Sequence, residues 1–342
     1  MELPLFQYNL YGKQRPKPMS DQKLPQGEPA PVVIVVGPTG AGKSDLAISL
    51  ALEFDGEVVN CDSVQVYRHF YIGTAKVPPS ERRGVPHHML DIAEPGEPFT
   101  AGDYAREARL VLRQIRDRGK LPVVVGGTGF YLRALLEGLF SGPPQNQALR
   151  AWFVRREQAR PGLLHRFIRR IDPESAKRIH PNDRNKLARA TEVYALSRRP
   201  MSELFQSGRD PLLDFHAIKI GLNPPRQALY DRLNRRAEAM VAAGLVEEVQ
   251  RLLHAGIPQD AKPFESIGYA QTLKLLRGEM CPAEALQSLQ QETRRYAKRQ
   301  WTWFARERDV LWLPGFGNDE TIVTAAMKAV RAALAELEKI HR

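Results

Sequence analysis

The chain has 342 residues, 43% of them hydrophobic, which supports a sizeable core and, on length, about two domains. Its 50 Lys plus Arg against 39 Asp plus Glu leave a net +11 that favours a polyanionic partner, while the two cysteines, Cys61 and Cys281, fit a reducing compartment and exclude a thiolate-built zinc site. No apolar run reaches membrane-spanning length and the N-terminus lacks the layout of a secretory signal, so the expected location is cytoplasmic, with no membrane partner.

Residues 1–31 read as a flexible tail, because six prolines interrupt a polar stretch without periodicity. Val32 to Val36 are five consecutive β-branched residues, the signature of a strand buried on both faces. Gly37-Pro38-Thr39-Gly40-Ala41-Gly42-Lys43-Ser44 follows with the spacing of a phosphate-binding P-loop. Its glycines let backbone amides approach phosphate oxygens, Lys43 adds a point charge, and Ser44 offers a hydroxyl to Mg²⁺. The apolar Asp45 to Leu52 stretch reads as the helix that such a loop opens.

Gly56 to Asp62 reads as a second strand. Ligands of open α/β sheets sit beyond the carboxyl ends of strands, which brings Asp62 to whatever the P-loop holds. The competing role for Asp62 is to cap the next turn. His87 and His88 lie in a Gly- and Pro-punctuated connection, and adjacent histidines point apart, which argues against a metal site. Phe99 to Arg118 has helical spacing, with Tyr104, Ala108, Val111, Leu112 and Ile115 on one face. Lys120 to Gly129 is a further buried strand, and it ends in Gly126-Gly127-Thr128 where a nucleotide-hydrolysing P-loop protein commonly places an acidic residue.

Residues 141–210 carry 15 Lys plus Arg against 7 Asp plus Glu, so +8 of the total +11 sits in one fifth of the chain. Helical patterns at 148–158, 162–171 and 184–197 make residues 143–210 a helical insertion with a basic face, with Trp152, Phe153, Leu163, Leu164, Phe167, Leu187, Val193 and Leu196 available for packing. Phe215 to Leu222 then alternates like a strand returning to the sheet, and Pro225 to His254 reads as one long amphipathic helix. Its Arg226, Arg232, Arg235 and Arg236 either clamp a diphosphate or solvate an outer face. The fold class is therefore α/β: a P-loop parallel-sheet core flanked by helices, built from residues 32–142 and 211–342, with a mostly helical basic insertion between.

The ordered set Gly37 to Ser44, Asp62-Ser-Val-Gln-Val-Tyr67, Ile72-Gly-Thr-Ala-Lys76, Gly126-Gly-Thr-Gly-Phe-Tyr131, His180-Pro-Asn-Asp183, Ile267-Gly-Tyr269 and Ala297-Lys-Arg-Gln-Trp-Thr-Trp303 resembles bacterial tRNA dimethylallyltransferases, from about Val32 to Leu313. The resemblance implies transfer of a dimethylallyl group from its diphosphate to N6 of the adenine 3′ of the anticodon, with a tRNA anticodon stem-loop and dimethylallyl diphosphate as partners and Mg²⁺ held through Ser44. In that chemistry the P-loop cradles the leaving group and Asp62 takes the amino proton. By the same resemblance Thr128 lies in the reaction channel, and tRNA is touched by Asp62, Ser63, Val64, Gln65, Thr128, Arg150, Asn185, Lys186, Leu187, Ala188, Arg189, Glu265 to Ala270, and Lys298, Arg299, Gln300 through Ala305.

Asn185-Lys186 departs from a common Gln-Arg pair, and Glu265 and Ala270 stand where some relatives are basic. The competing role for Trp301, Trp303 and Phe304 is core packing. With Cys281 the only cysteine after Cys61, the C-terminal zinc finger of some eukaryotic relatives is not expected here. A monomer is expected. Two other classes share part of the pattern, a P-loop small-molecule kinase and a phosphate-gated RNA-binding protein without chemistry. The glycine-ended strand and basic insertion count against the first, and Asp62 beside the loop counts against the second.

Overall fold

A computed structural model describes residues 29–206 and 208–340. The expected tail up to residue 28 lies outside the described residues, and the core begins two residues before Val32. Strand β1 (Ala30–Val36) leads through the P-loop to α1 (Lys43–Glu53), then come β2 (Gly56–Asn60), β3 (His87–His88), α2 (Ala101–Asp117), β4 (Leu121–Val125) and α3 (Gly129–Glu137). The chain returns to the sheet as β5 (Phe215–Leu222), followed by α9 (Arg226–Ala242), α10 (Leu245–His254), α11 (Tyr269–Leu276), α12 (Pro282–Phe304), β6 (Val310–Leu313) and α13 (Glu320–Ile340). Among the described residues the six strands form one sheet in the order β3-β2-β4-β1-β5-β6, with every neighbouring pair parallel.

β1 is central because both its faces are apolar. Val33 stands opposite Val123 of β4 on one side and Ile218 of β5 on the other. Successive side chains alternate between faces. Val32, Ile34 and Val36 join a core with Tyr104, Leu112 and Ile115 of α2 and Leu135 of α3, whereas Val33 and Val35 join one with Leu46 and Leu50 of α1 and Ala326 of α13. The strand's continuous hydrophobic run therefore feeds two layers. Helix α2 starts at a reciprocal cap, in which Asp103 N donates to Thr100 Oγ1 and Thr100 N donates to Asp103 Oδ2.

Between α3 and β5 lie α4 (Gln147–Ala159), α5 (Leu163–Ile171), α6 (Pro173–Arg178), α7 (Arg184–Ser197) and α8 (Met201–Gln206). They surround their own core of Phe153, Leu164, Ile168, Leu187, Val193, Met201 and Leu204. Trp152, Phe167 and Leu196, expected to pack there, are instead exposed. The segment's two ends lie side by side: Phe140 bridges Arg209, Leu212 N donates to Leu136 O, and Arg109 reaches Asp210 at 2.8 Å. Three of its seven acids are buried and spent on structure. Glu157 accepts the Gly162 and Leu164 N–H groups, Asp172 accepts those of Ser175 and Ser202, and Glu192 accepts that of Asn146 and pairs with Arg189. The surface that remains is more basic than the +8 indicates.

The expected single helix over 225–254 is two. Gly244 adopts φ 94° at the start of α10, a left-handed conformation that ends the first helix and re-aims the second. Strands β3 and β6 and the short helices α6 and α8 were not anticipated, although Asp172-Pro173-Glu174 carries a helix-start signature at α6. Among the described residues no helix is long and apolar enough to cross a membrane.

Candidate active site

The loops leaving the carboxyl ends of β1, β2 and β4 converge on one cleft of about 900 Å³, lined by P-loop residues, Asp62, Gly126, Gly127, Arg232, Arg235 and Arg236. The convergence is tight. A Cβ on Gly126 would meet Cys61 O at 2.0 Å, and one on Gly37 would meet Leu222 O at 2.7 Å, so only glycine lets these strand ends close up. Gly40 and Gly42 hold φ of 78° and 81°, the left-handed turns that curl the loop. Gly42 is also the N-cap of α1 and supplies no side-chain cap, so the first amides of that helix stay available to an anion.

Lys43 bridges the loop, donating to Pro38 O at 2.8 Å. Burial lowers its pKa to about 8, with the Asp62 charge opposing the shift and Arg236 adding to it. The guanidinium of Arg236 is likewise held below its ordinary range, first by burial and then by Arg232, while Asp62 and Asp45 oppose. Cations are concentrated here without enough anion to match them. Of the four arginines singled out on the long helix, Arg232, Arg235 and Arg236 face this cleft. Arg226 instead stacks on Tyr230.

Asp62 does both jobs considered for it. Its Oδ1 accepts the N–H groups of Val64 at 2.8 Å and Gln65 at 3.2 Å, which caps the turn after β2. Among the described residues nothing hydrogen-bonds Oδ2, and Asp62 lines the cleft. Thr128, at the end of β4, accepts the Ser63 N–H at 3.0 Å and so fixes the Asp62-Ser63 turn to that strand. A second chamber of about 270 Å³ adjoins the first through Thr39, Asp62, Thr74, Arg236, Met240 and Tyr296, and continues between Leu233, Ala237, Ile267 and Leu289. One chamber is cationic, and the other has an aliphatic wall and more apolar than polar surface. Burial and then the Asp62 charge push the Tyr296 phenol up, which keeps it neutral.

The loop that carries Thr74 is latched from behind. Buried Glu248 of α10 accepts the Tyr71 N–H at 3.2 Å and the Ile72 N–H at 2.9 Å, and Tyr269 donates its hydroxyl to the same carboxylate while accepting the Gly73 N–H at 3.2 Å. A Cβ on Gly73 would sit 2.4 Å from the Tyr269 ring. Sequence reasoning noted the 72–76 and 267–269 motifs separately and missed Glu248, which nothing distinguishes from its neighbour Glu247 in a chain read alone.

Among residues expected to touch RNA, Ser63 and Val64 line the aliphatic chamber and Gln65 is held by Thr74 O at 2.9 Å. Asn185, Lys186, Lys298 and Arg299 are exposed. Three of these residues are buried. Leu187 and Ala188 face the insertion's own core, so their side chains meet no solvent, and Gln300 is buried against the P-loop. Arg150 and Arg189 both pair with the buried Glu192 and so carry structural duty. Glu265 sits at the aliphatic chamber and pairs with Lys262; Ala270 is half-buried. Phe304 is core, Trp301 donates to Asn223 Oδ1 at 2.9 Å, and Trp303 lies under Arg133. His88 pairs with Glu57, and His87 contacts Val85 O at 2.8 Å.

Among the described residues no three His, Cys, Asp or Glu side chains cluster as a metal cage. The Ser44 hydroxyl in the cleft fits a different arrangement, in which Mg²⁺ takes one protein oxygen and draws its other ligands from phosphate and water.

Fold and site together define a P-loop enzyme of the group-transfer kind, with a basic phosphate cradle, a carboxylate facing it, and a glycine where the hydrolytic acid of nucleotide-cleaving relatives stands. The family described as IPP transferase matches residues 65–307, and that described as isopentenyl transferase matches residues 30–95. The chain is 54% identical to the tRNA dimethylallyltransferase of Solibacter usitatus over 306 residues, 90% of this chain and 100% of the relative, and 54% identical to that of Koribacter versatilis over 88% and 98%. The crystal structure of the tRNA isopentenylpyrophosphate transferase of Bacillus halodurans is similar with a TM-score of 0.68 at 35% identity, over 91% of this chain and 99% of that one. A eukaryotic dimethylallyltransferase solved acting on tRNA gives 0.76 at 27% identity, over 91% and 80%. The chain belongs to the tRNA dimethylallyltransferase family.

Proposed function

We propose that this protein transfers a dimethylallyl group from dimethylallyl diphosphate to N6 of the adenine 3′-adjacent to the anticodon in tRNA. The observation that carries the reading is Asp62, whose Oδ2 has no hydrogen-bond partner among the described residues and which lines the same cleft as the P-loop. The P-loop amides, Lys43 and Arg236 bind the diphosphate, while the adjoining aliphatic chamber takes the five-carbon chain. N6 attacks C1 of the dimethylallyl group, the C1–O bond breaks with its electron pair leaving on diphosphate, and the amino proton passes to Asp62. The cations hold the charge that develops on the leaving oxygen. Mg²⁺ at Ser44, when bound, supplies further charge neutralisation of the diphosphate.

The exposed cations of the insertion grip the stem and loop, where the target base is unstacked at a cost of about a few kcal/mol, least in a single-stranded loop. The test is incubation with an anticodon stem-loop and either labelled dimethylallyl diphosphate or labelled ATP. Label transfer from the first to adenine, with ATP left intact, is the expected result. Sustained stem-loop-stimulated ATP hydrolysis that is lost in Lys43→Ala would overturn it.

A further inference from the structure

Gln300 lies in a run whose resemblance points to RNA, yet both ends of its buried amide are engaged inside the phosphate site. Its Oε1 accepts the Thr39 N–H at 2.7 Å, and its Nε2 donates to Gly127 O at 3.0 Å. One end thus holds the P-loop and the other holds the segment leaving β4. A Cβ built on Gly127 would lie 2.1 Å from Nε2 and 3.8 Å from Lys43 Nζ, so the amide fills the space that a side chain at 127 would need, beside the P-loop lysine. This is the strand end at which nucleotide-hydrolysing P-loop enzymes commonly place an acid.

We propose that Gln300 is a positioning residue for the diphosphate site: it clasps the P-loop to the end of β4 and fills the place of the missing acid. A loop with three glycines at positive φ has many alternative conformers, and each must be given up when a ligand binds. The clasp removes that freedom beforehand. An amide suits the place because it accepts from one backbone and donates to the other without adding negative charge beside the diphosphate. A glutamate would keep the first bond, lose the second and repel the ligand. The substrate named here rests on the transfer reading above.

The full chain carrying Gln300→Met keeps the length and bulk but loses both bonds. The KM for dimethylallyl diphosphate and the inhibition constant of inorganic diphosphate should rise about tenfold, with kcat within about threefold and stem-loop Kd unchanged. Gly127→Ala drives a Cβ into the amide from the opposite side and should reproduce the effect in a chain that keeps Gln300, which covers a Met variant that fails to fold. In a Gln300→Ala background, where there is room, Gly127→Ala should add less than about twofold. An unchanged KM in Gln300→Met, a change in stem-loop Kd in place of diphosphate affinity, or full additivity of the two substitutions would overturn the clasp. Wild-type protein that transfers nothing would instead overturn the transfer reading, and calorimetry with inorganic diphosphate on wild type and Gln300→Met would still decide the clasp.

Discussion

Asp62→Asn separates the cap that Asp62 forms from the proton transfer proposed for it. The turn after β2 needs an oxygen that accepts the Val64 and Gln65 N–H groups, and the asparagine carbonyl provides it, since its amide nitrogen cannot accept. As caps Asp and Asn are about equal, so the change should cost less than about 0.5 kcal/mol of stability, whereas Asp62→Ala should lose about 1 kcal/mol with the cap. What Asn removes is the proton acceptor at Oδ2. General-base catalysis is worth about 10²–10⁴, or roughly 3–5.5 kcal/mol of barrier. Single-turnover transfer with saturating stem-loop and dimethylallyl diphosphate reads the chemical step, and thermal unfolding reads the cap. We expect Asn and Ala to be equally slow and only Ala to lose stability. Transfer by Asp62→Asn at the wild-type rate would leave Asp62 as a cap alone.

Arg166, Arg169 and Arg170 of α5 are exposed and without an acidic partner among the described residues, so the triple change to Gln should weaken stem-loop binding and reduce its log–log salt slope by roughly 0.7–0.9 per lost phosphate contact; equal slopes would place the RNA elsewhere. Arg189→Ala should instead lower thermal stability by about 1–3 kcal/mol, because it strips a partner from buried Glu192, and an unchanged melting curve would refute that role. With the Lys43 pKa lowered to about 8, the charged form that diphosphate requires is present below that pH and lost above it. Affinity for dimethylallyl diphosphate should be level to about pH 8 and then fall, and calorimetry showing none of this decline up to pH 10 would remove Lys43 from the contact. Gly73→Ala should cost about 1–3 kcal/mol, since the new methyl meets a Tyr269 ring that Glu248 holds in place; wild-type stability would show the latch to be soft.

The parts of this fold legible in the sequence are those whose cause is local. A β-branched run marked β1, glycine spacing marked the P-loop, and helical periodicity found α2, α4, α5 and α7. Strand β3 is two residues long and has no period to detect. The break at Gly244 went unseen because the amphipathic pattern runs on across it. Leu187 carried two readings, packing and RNA contact, and the phase of α7 turns its side chain to packing, since Leu187, Ala190, Thr191 and Val193 turn inward together. The burial of Gln300 was not legible for a different reason. Its neighbours Lys298 and Arg299 are exposed, and its burial depends on α12 passing behind a loop 261 residues away in the chain. That Asp62 lines the P-loop cleft was legible because the rule used, that strand ends gather ligands, concerns topology and is independent of distant side chains.

The sheet order sets a timetable for the nascent chain. β1 pairs with β4, so one edge of the early strand can close soon after Val125 emerges from the ribosome, but its other edge waits for Phe215 to Gly221. The intervening helices make local contacts and can settle while synthesis continues. At about 5–20 residues per second, the apolar β1 edge and the half-built phosphate cradle stay open for roughly 5–20 s. That interval is when a chaperone would find an unpaired strand to shield, and when the chain is most exposed to pairing with a copy of itself.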